Sequence, residues 1–258
     1  MTVLRVSGLS KSYGGVRAVN DVSFDIARGQ IIALIGPNGA GKSTCFNILN
    51  GQTAADAGSV LFMGNEIIGL NPRDIWRGGV GRTFQVPETY GSMSVRENVQ
   101  MVLLSKRHKL FHALRPAAAL FQGEAMSLLE RVGMAAQSER PANVLAYGDV
   151  KRLELAMALA NDPILLLMDE PTAGMAPDER NALMALTSGL AKERNMAVLF
   201  TEHSMDVVFS YAHEILVLSR GRIIASGLPA AVRENKEVQD VYLGSAAFLD
   251  VRDQAHDD

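Results

Sequence analysis

The sequence predicts an α/β fold in which a mostly parallel sheet surrounds one central helix. A short apolar run over residues 30–35 predicts a buried strand, and a glycine-rich loop and a predicted helix over residues 42–50 follow it. A second run, residues 164–168, is apolar at every position, which is typical of a strand covered on both faces. These observations place the chain in the α/β class.

The first third of the chain predicts several short strands, and the part after it predicts a helical lobe. Short strands are predicted at residues 3–6, 16–24 and 60–62, and residues 78–85 lead into a further one. Beyond residue 94 the strand-like runs stop, and Leu120, Phe121, Met126, Leu129 and Val132 follow helical spacing. We therefore expect a helical lobe over about residues 94–160.

The second half of the chain alternates helix and strand. Pro177 suits the first turn of a helix whose apolar face is Ala182, Leu183, Leu186 and Leu190. Strands are predicted over residues 197–201, 214–219 and 223–226, with a turn at 220–221. Because we find no repeat or linker, we expect a single domain over residues 1–244 and a solvated acidic tail over residues 245–258.

The composition is that of a soluble globular protein and excludes several classes. Of the 258 residues, 48% are apolar and 21% are charged, and the net charge of −3 argues against nucleic acid as the main partner. The single cysteine, Cys45, excludes an intramolecular disulfide, and we expect it to be a buried structural thiol. No signal peptide or membrane span is predicted, so we expect a cytosolic protein or one that docks onto a membrane component.

The glycine-rich loop predicts a phosphate-binding site. The loop and the start of its helix comprise Gly36, Pro37, Asn38, Gly39, Ala40, Gly41, Lys42, Ser43 and Thr44. Glycines leave the backbone N–H groups open to a polyphosphate, Lys42 can reach the β- and γ-phosphates, and the Ser43 hydroxyl can ligate Mg²⁺. A plain turn is the alternative, but the order strand, loop and helix favours a nucleoside triphosphate such as ATP.

Two carboxylates at the end of the second apolar run predict the catalytic half of the same site. Asp169 follows the strand and can hold Mg²⁺, directly or through water. Glu170, one residue later, can deprotonate an attacking water. The alternative is that these acids simply end a strand.

The segment from Leu145 to Asp149 (LAYGD), followed by KRLELAMALA and then ILLLMDE, resembles the signature segment and second nucleotide motif of ABC-type ATPases. The resemblance covers nearly the whole sequence. It implies that Tyr13 stacks on adenine, that Gln85 lies near Mg²⁺ and couples the site to a membrane partner, and that His203 contacts the γ-phosphate. From the residues alone, Tyr13 could be a half-buried strand aromatic, Gln85 a polar strand end and His203 a structural histidine.

The resemblance also implies an architecture and a two-chain site. The ABC-type P-loop ATPase fold has a mixed central sheet, a small antiparallel β subdomain and a helical subdomain carrying the signature segment. In this family the signature segment faces the γ-phosphate held by the opposite subunit. Its residues are Leu145, Ala146, Tyr147 and Gly148.

The sequence departs from the usual family pattern at four positions. Ala146 replaces a serine, Tyr147 a glycine and Asp149 a glutamine in the signature, while Ala176 stands where aspartate is frequent. Loss of the serine hydroxyl removes one donor to the γ-phosphate. The resemblance implies that the aspartate couples the two subunits, so we expect coupling between the sites to be looser here or to use other residues. We expect Asp149 to be the N-cap of the following helix, although its charge could instead oppose the γ-phosphate.

Three further features resemble the ATP-binding subunits of branched-chain (hydrophobic) amino-acid uptake systems: the LAYG signature, the long stretch 106–122 and the VYLG run at 241–244. The resemblance implies a second, related ATPase subunit, two membrane permeases, an indirect link to a solute-binding protein, and a place on the cytoplasmic face of the membrane. Lipopolysaccharide-export ATPases and soluble ABC ATPases are the alternatives. Within the long stretch, Phe111, Leu114, Leu120 and Phe121 could bind a partner, but subdomain core is the preferred interpretation.

Overall fold

A computed structural model describes residues 1–83, 88–107 and 120–242 of the protein. Gln85, Phe111, Leu114 and the predicted acidic tail lie outside these described residues. The strands form two sheets, one antiparallel and one mixed, and helices cover the mixed sheet. The predicted α/β class and the mixed central sheet are confirmed.

The antiparallel sheet has the strand order β2-β1-β4-β5 within the described residues. Its strands are β1 (Thr2–Tyr13), β2 (Val16–Ala27), β4 (Ala57–Phe62) and β5 (Asn65–Glu66). The turn between β1 and β2 uses Gly14 and Gly15, whose φ angles of 51° and 87° favour glycine. Both N-terminal strands are longer than predicted, because β1 pairs with β2 on one side and with β4 on the other.

The mixed sheet has the order β10-β9-β3-β8-β7-β6. Its strands are β3 (Ile31–Ile35), β6 (Val80–Thr83), β7 (Leu165–Asp169), β8 (Ala197–Thr201), β9 (Glu214–Ser219) and β10 (Arg222–Gly227). All neighbouring pairs are parallel except β9 and β10, which form a hairpin. The carboxyl ends of β3, β7 and β8 therefore meet at one edge, which is where ligands bind in open α/β sheets.

The described helices are α1 (Lys42–Leu49), α2 (Pro72–Arg77), α3 (Val95–Lys106), α4 (Gln122–Arg131), α5 (Tyr147–Leu159), α6 (Pro177–Arg194), α7 (Met205–Tyr211), α8 (Pro229–Glu234) and α9 (Lys236–Tyr242). They include the predicted helix after the glycine-rich loop and the predicted helix that starts at Pro177, together with α2, α7, α8 and α9, which the sequence patterns did not indicate. Helix α3 starts after Ser94, because Ser94 and Glu97 form a capping box there. None of the helices in the described part of the protein has the length and apolar content needed to cross a membrane.

Two hydrophobic cores share the mixed sheet. Ile31, Ala33 and Ile35 face one core, while Ile32 and Leu34 face the other. The first core continues into the lobe of α3, α4 and α5, and Phe121 packs against it. Since side chains alternate across a strand, burial on both faces explains why these strands are continuously apolar.

Candidate functional site

The phosphate loop joins β3 to α1 and requires glycine at two points of close packing. A Cβ atom on Gly36 would lie 2.1 Å from the Leu218 carbonyl oxygen, and one on Gly41 would lie 2.1 Å from the Ala18 carbonyl oxygen. These contacts, with φ angles of 154° and 109°, exclude larger residues. The glycines therefore pack the loop against neighbouring strands in addition to exposing its backbone.

Lys42 lies at the start of α1 and folds over the loop. Its Nζ donates hydrogen bonds to the carbonyl oxygens of Gly36, at 2.6 Å, and Pro37, at 3.2 Å. Burial lowers the pKa of Lys42, and the carboxylates of Glu170 and Asp169 oppose that shift. The N-terminus of α1 has no side-chain cap, so its first N–H groups face the loop with the positive end of the helix dipole. The side chain of Ser43 is exposed beside them.

Asp169 ends β7 and is held on both carboxylate oxygens. The Thr201 hydroxyl donates to Oδ1 at 2.7 Å, and the Arg82 guanidinium lies 3.5 Å from Oδ2. Thr201 is directly opposite Asp169 in the β7–β8 register, so adjacent parallel strands bring the two side chains together.

Glu170 follows in a left-handed backbone conformation with φ of 46°, which is uncommon for a residue other than glycine. Its N–H donates to the Thr201 Oγ1 at 3.0 Å and to the Thr201 carbonyl at 3.2 Å. Its Oε1 lies 3.0 Å from Nε2 of His203. The structure therefore brings Glu170 and His203 together.

Glu202 is a member of this cluster that the sequence did not indicate. Its carboxylate is buried, with 3% of the residue exposed, and accepts hydrogen bonds from the backbone and hydroxyl of Thr172 and from the His203 N–H. It thereby ties the segment after Glu170 to the segment that carries His203. An acid beside His203 in TEHSMD was the available signal, but its partner Thr172 is distant in sequence.

Tyr13 ends β1 with 49% of its surface exposed, and the Lys11 ammonium lies 5.6 Å from its ring centroid. The same hairpin continues to Ala18, whose carbonyl packs against Gly41 of the phosphate loop. An exposed aromatic ring therefore lies on a hairpin that contacts the phosphate loop.

Tyr242, in the VYLG run, lies against the loop from the other side. It ends α9, and burial raises the pKa of its hydroxyl, while the Gly36 backbone N–H opposes that shift. A cleft of about 540 Å³ separates residues 37–40 of the loop from Glu237, Asp240 and Val241 of α9. Helix α9 is thus part of the surroundings of the phosphate loop.

The signature segment starts α5. Ala146 and Tyr147 are exposed, Leu145 is partly buried, and Gly148 is buried. A Cβ atom on Gly148 would lie 3.2 Å from Glu179 Oε1, so glycine allows α5 to approach α6 closely. The segment also lies beside the stretch after Glu170, because a Cβ on Gly174 would be 3.7 Å from the Tyr147 ring.

The prediction that Asp149 caps α5 was wrong. Ala146 is the N-cap, with no side-chain hydrogen bond, and Asp149 lies inside the first turn. Its Oδ2 accepts a hydrogen bond from Gln137 Nε2 at 2.9 Å. The carboxylate is therefore anchored to the 3₁₀ turn Ala135–Gln137 instead of capping the helix.

Comparisons with known proteins identify the family to which the chain belongs. A family model described as ABC transporter matches residues 19–173. The chain belongs to the ABC transporter family. It is an ABC-type ATPase that binds ATP. A second model, described as branched-chain amino acid ATP-binding cassette transporter, matches residues 222–247.

Relatives of this ABC-type ATPase align along most of its length. It is 39% identical to the high-affinity branched-chain amino acid transport ATP-binding protein BraF of Pseudomonas aeruginosa, covering 95% of this chain and 98% of that protein. It is 38% identical, with the same coverage, to LivG of Escherichia coli, which has the same description. A crystal structure of the ADP conformation of an ABC-transporter ATP-binding cassette is 30% identical with a TM-score of 0.84, covering 95% of this chain and 100% of that one.

The site residues fit a magnesium ion. Mg²⁺ prefers hard oxygen ligands and is usually held by one or two protein groups together with substrate phosphates. The exposed Ser43 hydroxyl at the start of α1 and the Asp169 carboxylate at the end of β7 are donors of that kind. Gln85, the third predicted ligand, lies outside the described residues.

Proposed function

We propose that this ABC-type ATPase is the ATP-hydrolysing subunit of a bacterial importer for branched-chain or other hydrophobic amino acids, and that residues 1–244 act as its single ATPase domain. The similarity to BraF and LivG, which extends over 95% of the sequence, supports this substrate class. The second family match, over residues 222–247 near the C-terminus, supports it independently of the ATPase motifs.

ATP binds with its phosphates in the loop of residues 36–44 and its adenine on Tyr13. Lys42 is already directed into the loop by Gly36 and Pro37, so it can transfer its hydrogen bonds to the β- and γ-phosphates. Ser43, Asp169 and Gln85 would hold Mg²⁺, and the ion would supply positive charge beside the phosphates. Stacking of adenine on an aromatic ring contributes on the order of 1–3 kcal/mol, by analogy with base stacking elsewhere.

The observation that carries the hydrolytic mechanism is the placement of Glu170. The left-handed backbone turn and two hydrogen bonds to Thr201 fix its Cα, and its carboxylate contacts His203. Glu170 accepts the proton of the attacking water, since a carboxylate within hydrogen-bonding distance of the water can serve as general base. His203, 49% exposed at its side chain, donates to the γ-phosphate.

One complete site uses two chains. The exposed Ala146 and Tyr147 at the positive end of α5 meet the γ-phosphate held by a second, related ATPase subunit. The loss of the signature serine leaves this contact to the backbone N–H groups at the helix start. The ATP-dependent pairing then closes both sites together.

The membrane permeases dock in a groove between α2 and the helical lobe. Its volume is about 590 Å³, and its lining includes Ile75, Trp76, Arg82, Tyr90, Met101 and Met157. A groove lined by both apolar and polar side chains suits a short permease segment. The subunit is thereby held peripherally on the cytoplasmic face, and the solute-binding protein acts on it only through the permeases.

Substitution of Glu170 by Gln tests the mechanism. General-base catalysis contributes about 10²- to 10⁴-fold, so Glu170→Gln should hydrolyse ATP slower by that factor while binding it normally. ATPase rates and equilibrium binding of ATP measure the two properties. Glu193→Gln, at a 57% exposed surface ion pair with Arg131, is the matched control and should match the wild type. Hydrolysis by Glu170→Gln at the wild-type rate would assign the base to another residue.

A test of the proposed substrate class requires the assembled transporter. With its permeases and solute-binding protein in lipid vesicles, the subunit should hydrolyse ATP faster when leucine, isoleucine or valine is supplied. Charged amino acids are the matched negative control. Stimulation by charged amino acids alone would contradict the proposed class.

A further inference from the structure

Arg82 links three elements of the site, although no role for it follows from the sequence pattern. It lies on β6, and its side chain is 10% exposed. Its guanidinium donates to Asn47 Oδ1 of α1 at 3.2 Å from both terminal nitrogens and to Gln52 Oε1 at 3.1 Å. Its Nη2 lies 3.5 Å from Asp169 Oδ2. Arg82 therefore bridges the phosphate-loop helix, β6 and the carboxylate at the end of β7.

The electrostatics make Asp169 an important partner of this cation. Burial lowers the pKa of Arg82, and the Asp169 carboxylate is the largest influence that opposes the shift. Desolvation disfavours a buried charge unless an opposite charge compensates it. Asp169 Oδ1 already accepts from Thr201, so the guanidinium uses the other oxygen, Oδ2.

The same carboxylate is the proposed protein ligand of Mg²⁺. A cation that approaches Asp169 must either displace the guanidinium or share the carboxylate with it, and two like charges at such a distance repel each other. Asn47 and Gln52 offer the guanidinium neutral acceptors that remain available when it withdraws. Loss of the contact with Asp169 would therefore leave the hydrogen bonds of the guanidinium to Asn47 and Gln52 available.

We propose that Arg82 is the internal counter-charge of Asp169 and competes with Mg²⁺ for it, so that Arg82 raises the Mg²⁺ concentration that nucleotide binding requires. This inference rests on the proposed role of Asp169 as a metal ligand. Arg82 acts through Asp169 and is a positioning residue. The positive charge of Arg82, and not only the shape of its guanidinium group, determines how much the Mg²⁺ requirement rises.

Removal of the charge should make Mg²⁺ bind more tightly. Binding of ATP is followed by calorimetry at increasing MgCl₂ for the wild type, Arg82→Gln and Arg82→Lys. Arg82→Gln should lower the half-saturating Mg²⁺ concentration roughly 10-fold, the scale on which outer-shell groups change metal affinity. Arg82→Lys, which keeps the charge, should stay close to the wild type. Arg131→Gln, at an exposed ion pair, is the matched control.

An unchanged or higher Mg²⁺ requirement in Arg82→Gln would overturn the proposal, and so would an Arg82→Lys protein that behaves like Arg82→Gln. Asp169→Asn distinguishes an error in the proposed metal ligand from an error in the proposed role of Arg82. If Asp169→Asn keeps the wild-type Mg²⁺ response, the proposed metal ligand is wrong. If it loses that response while Arg82→Gln keeps it, only the role of Arg82 is wrong.

A measurement on the wild-type protein avoids any folding defect of the variants. The NMR resonance of the Arg82 Nε–H group can be assigned from its loss in Arg82→Lys. It should shift when Mg²⁺ is added to the ADP complex and should not respond to an equal concentration of KCl. A resonance that does not respond to Mg²⁺ would contradict competition for Asp169.

Discussion

At the scale of single residues, backbone geometry and hydrogen bonding combine at Glu170. A left-handed conformation costs a residue with a side chain about 1–2 kcal/mol, and the two hydrogen bonds from its N–H to Thr201 offset this cost. The same threonine hydroxyl donates to Asp169. One small side chain therefore orients both the proposed base and the proposed metal ligand.

Asp149 contributes a negative charge to the first turn of α5 and does not cap the helix. Asp149→Asn can keep the hydrogen bond to Gln137 but removes a negative charge from the first helical turn, which typically costs about 0.3–1 kcal/mol. We expect urea unfolding to show a loss of that size, and ATPase activity to stay within about threefold, a difference below about 1 kcal/mol. Asp178→Asn, in the first turn of α6, is the matched control.

A different role of Asp149 would give a different result. If its charge repelled the γ-phosphate across the two subunits, Asp149→Asn would increase ATP-dependent dimerisation, and the increase would shrink at high salt. Light scattering at two salt concentrations distinguishes the outcomes.

The sequence could predict site residues that belong to local motifs, but not those that depend on strand order. The loop of Gly36 to Lys42 and the pair Asp169–Glu170 are recognisable because loop, strand and helix are contiguous. Arg82, Thr201 and Glu202 enter the site only because β6, β7 and β8 are neighbours. Asp149 was misassigned because its real partner, Gln137, lies in an irregular turn that no periodic pattern marks.

At the scale of elements, α5 contains a buried ion pair below the signature segment. Lys151 Nζ lies 3.2 Å from Glu154 Oε2, the two side chains are 2% and 5% exposed, and Lys151 also lies 5.8 Å from the Tyr147 ring centroid. Glu154 reaches the groove beside α2. One face of α5 therefore connects the signature segment with this groove.

Removal of one partner of this pair should destabilise the fold. Lys151→Met removes the buried cation that lies 3.2 Å from the Glu154 carboxylate, and removal of one partner of a buried ion pair typically costs about 3–5 kcal/mol. The double variant Lys151→Met/Glu154→Leu should recover most of that loss, because both charges of the buried pair are then removed. Urea unfolding of the wild type, both single variants and the double variant gives the coupling energy. A loss below about 1 kcal/mol in Lys151→Met would mean that the pair adds little.

Element positions were predicted best where burial dictates the pattern. The strands Ala197–Thr201 and Glu214–Ser219 have the predicted limits, because their apolar runs lie in the sheet interior. The limits of β1 were underestimated since it crosses Gly8, which has φ of 59°, and shifts register between Val6 and Leu9. Polar residues beyond that irregularity remain paired with β2, which an alternation pattern does not reveal.

At the scale of the whole molecule, the proposed two-chain site makes the oligomeric state depend on ATP. We expect the purified protein to be mainly monomeric without nucleotide and to pair when ATP bridges two subunits. Glu170→Gln with Mg²⁺ and ATP should hold the dimer, which light scattering after size exclusion would detect, while ADP is the control. A stable dimer that forms equally with and without ATP would contradict this mechanism.

The groove beside α2 also has an optical consequence. Trp76 is the only tryptophan among the 258 residues, it is partly buried, and it lines the groove. The side-chain amide of Asn161 donates to its backbone carbonyl and so ties this wall to the end of the helical lobe. Because indole emission responds to the polarity around the ring, the intrinsic tryptophan fluorescence reports on this one place. Association of a permease segment can therefore be followed without attaching a dye.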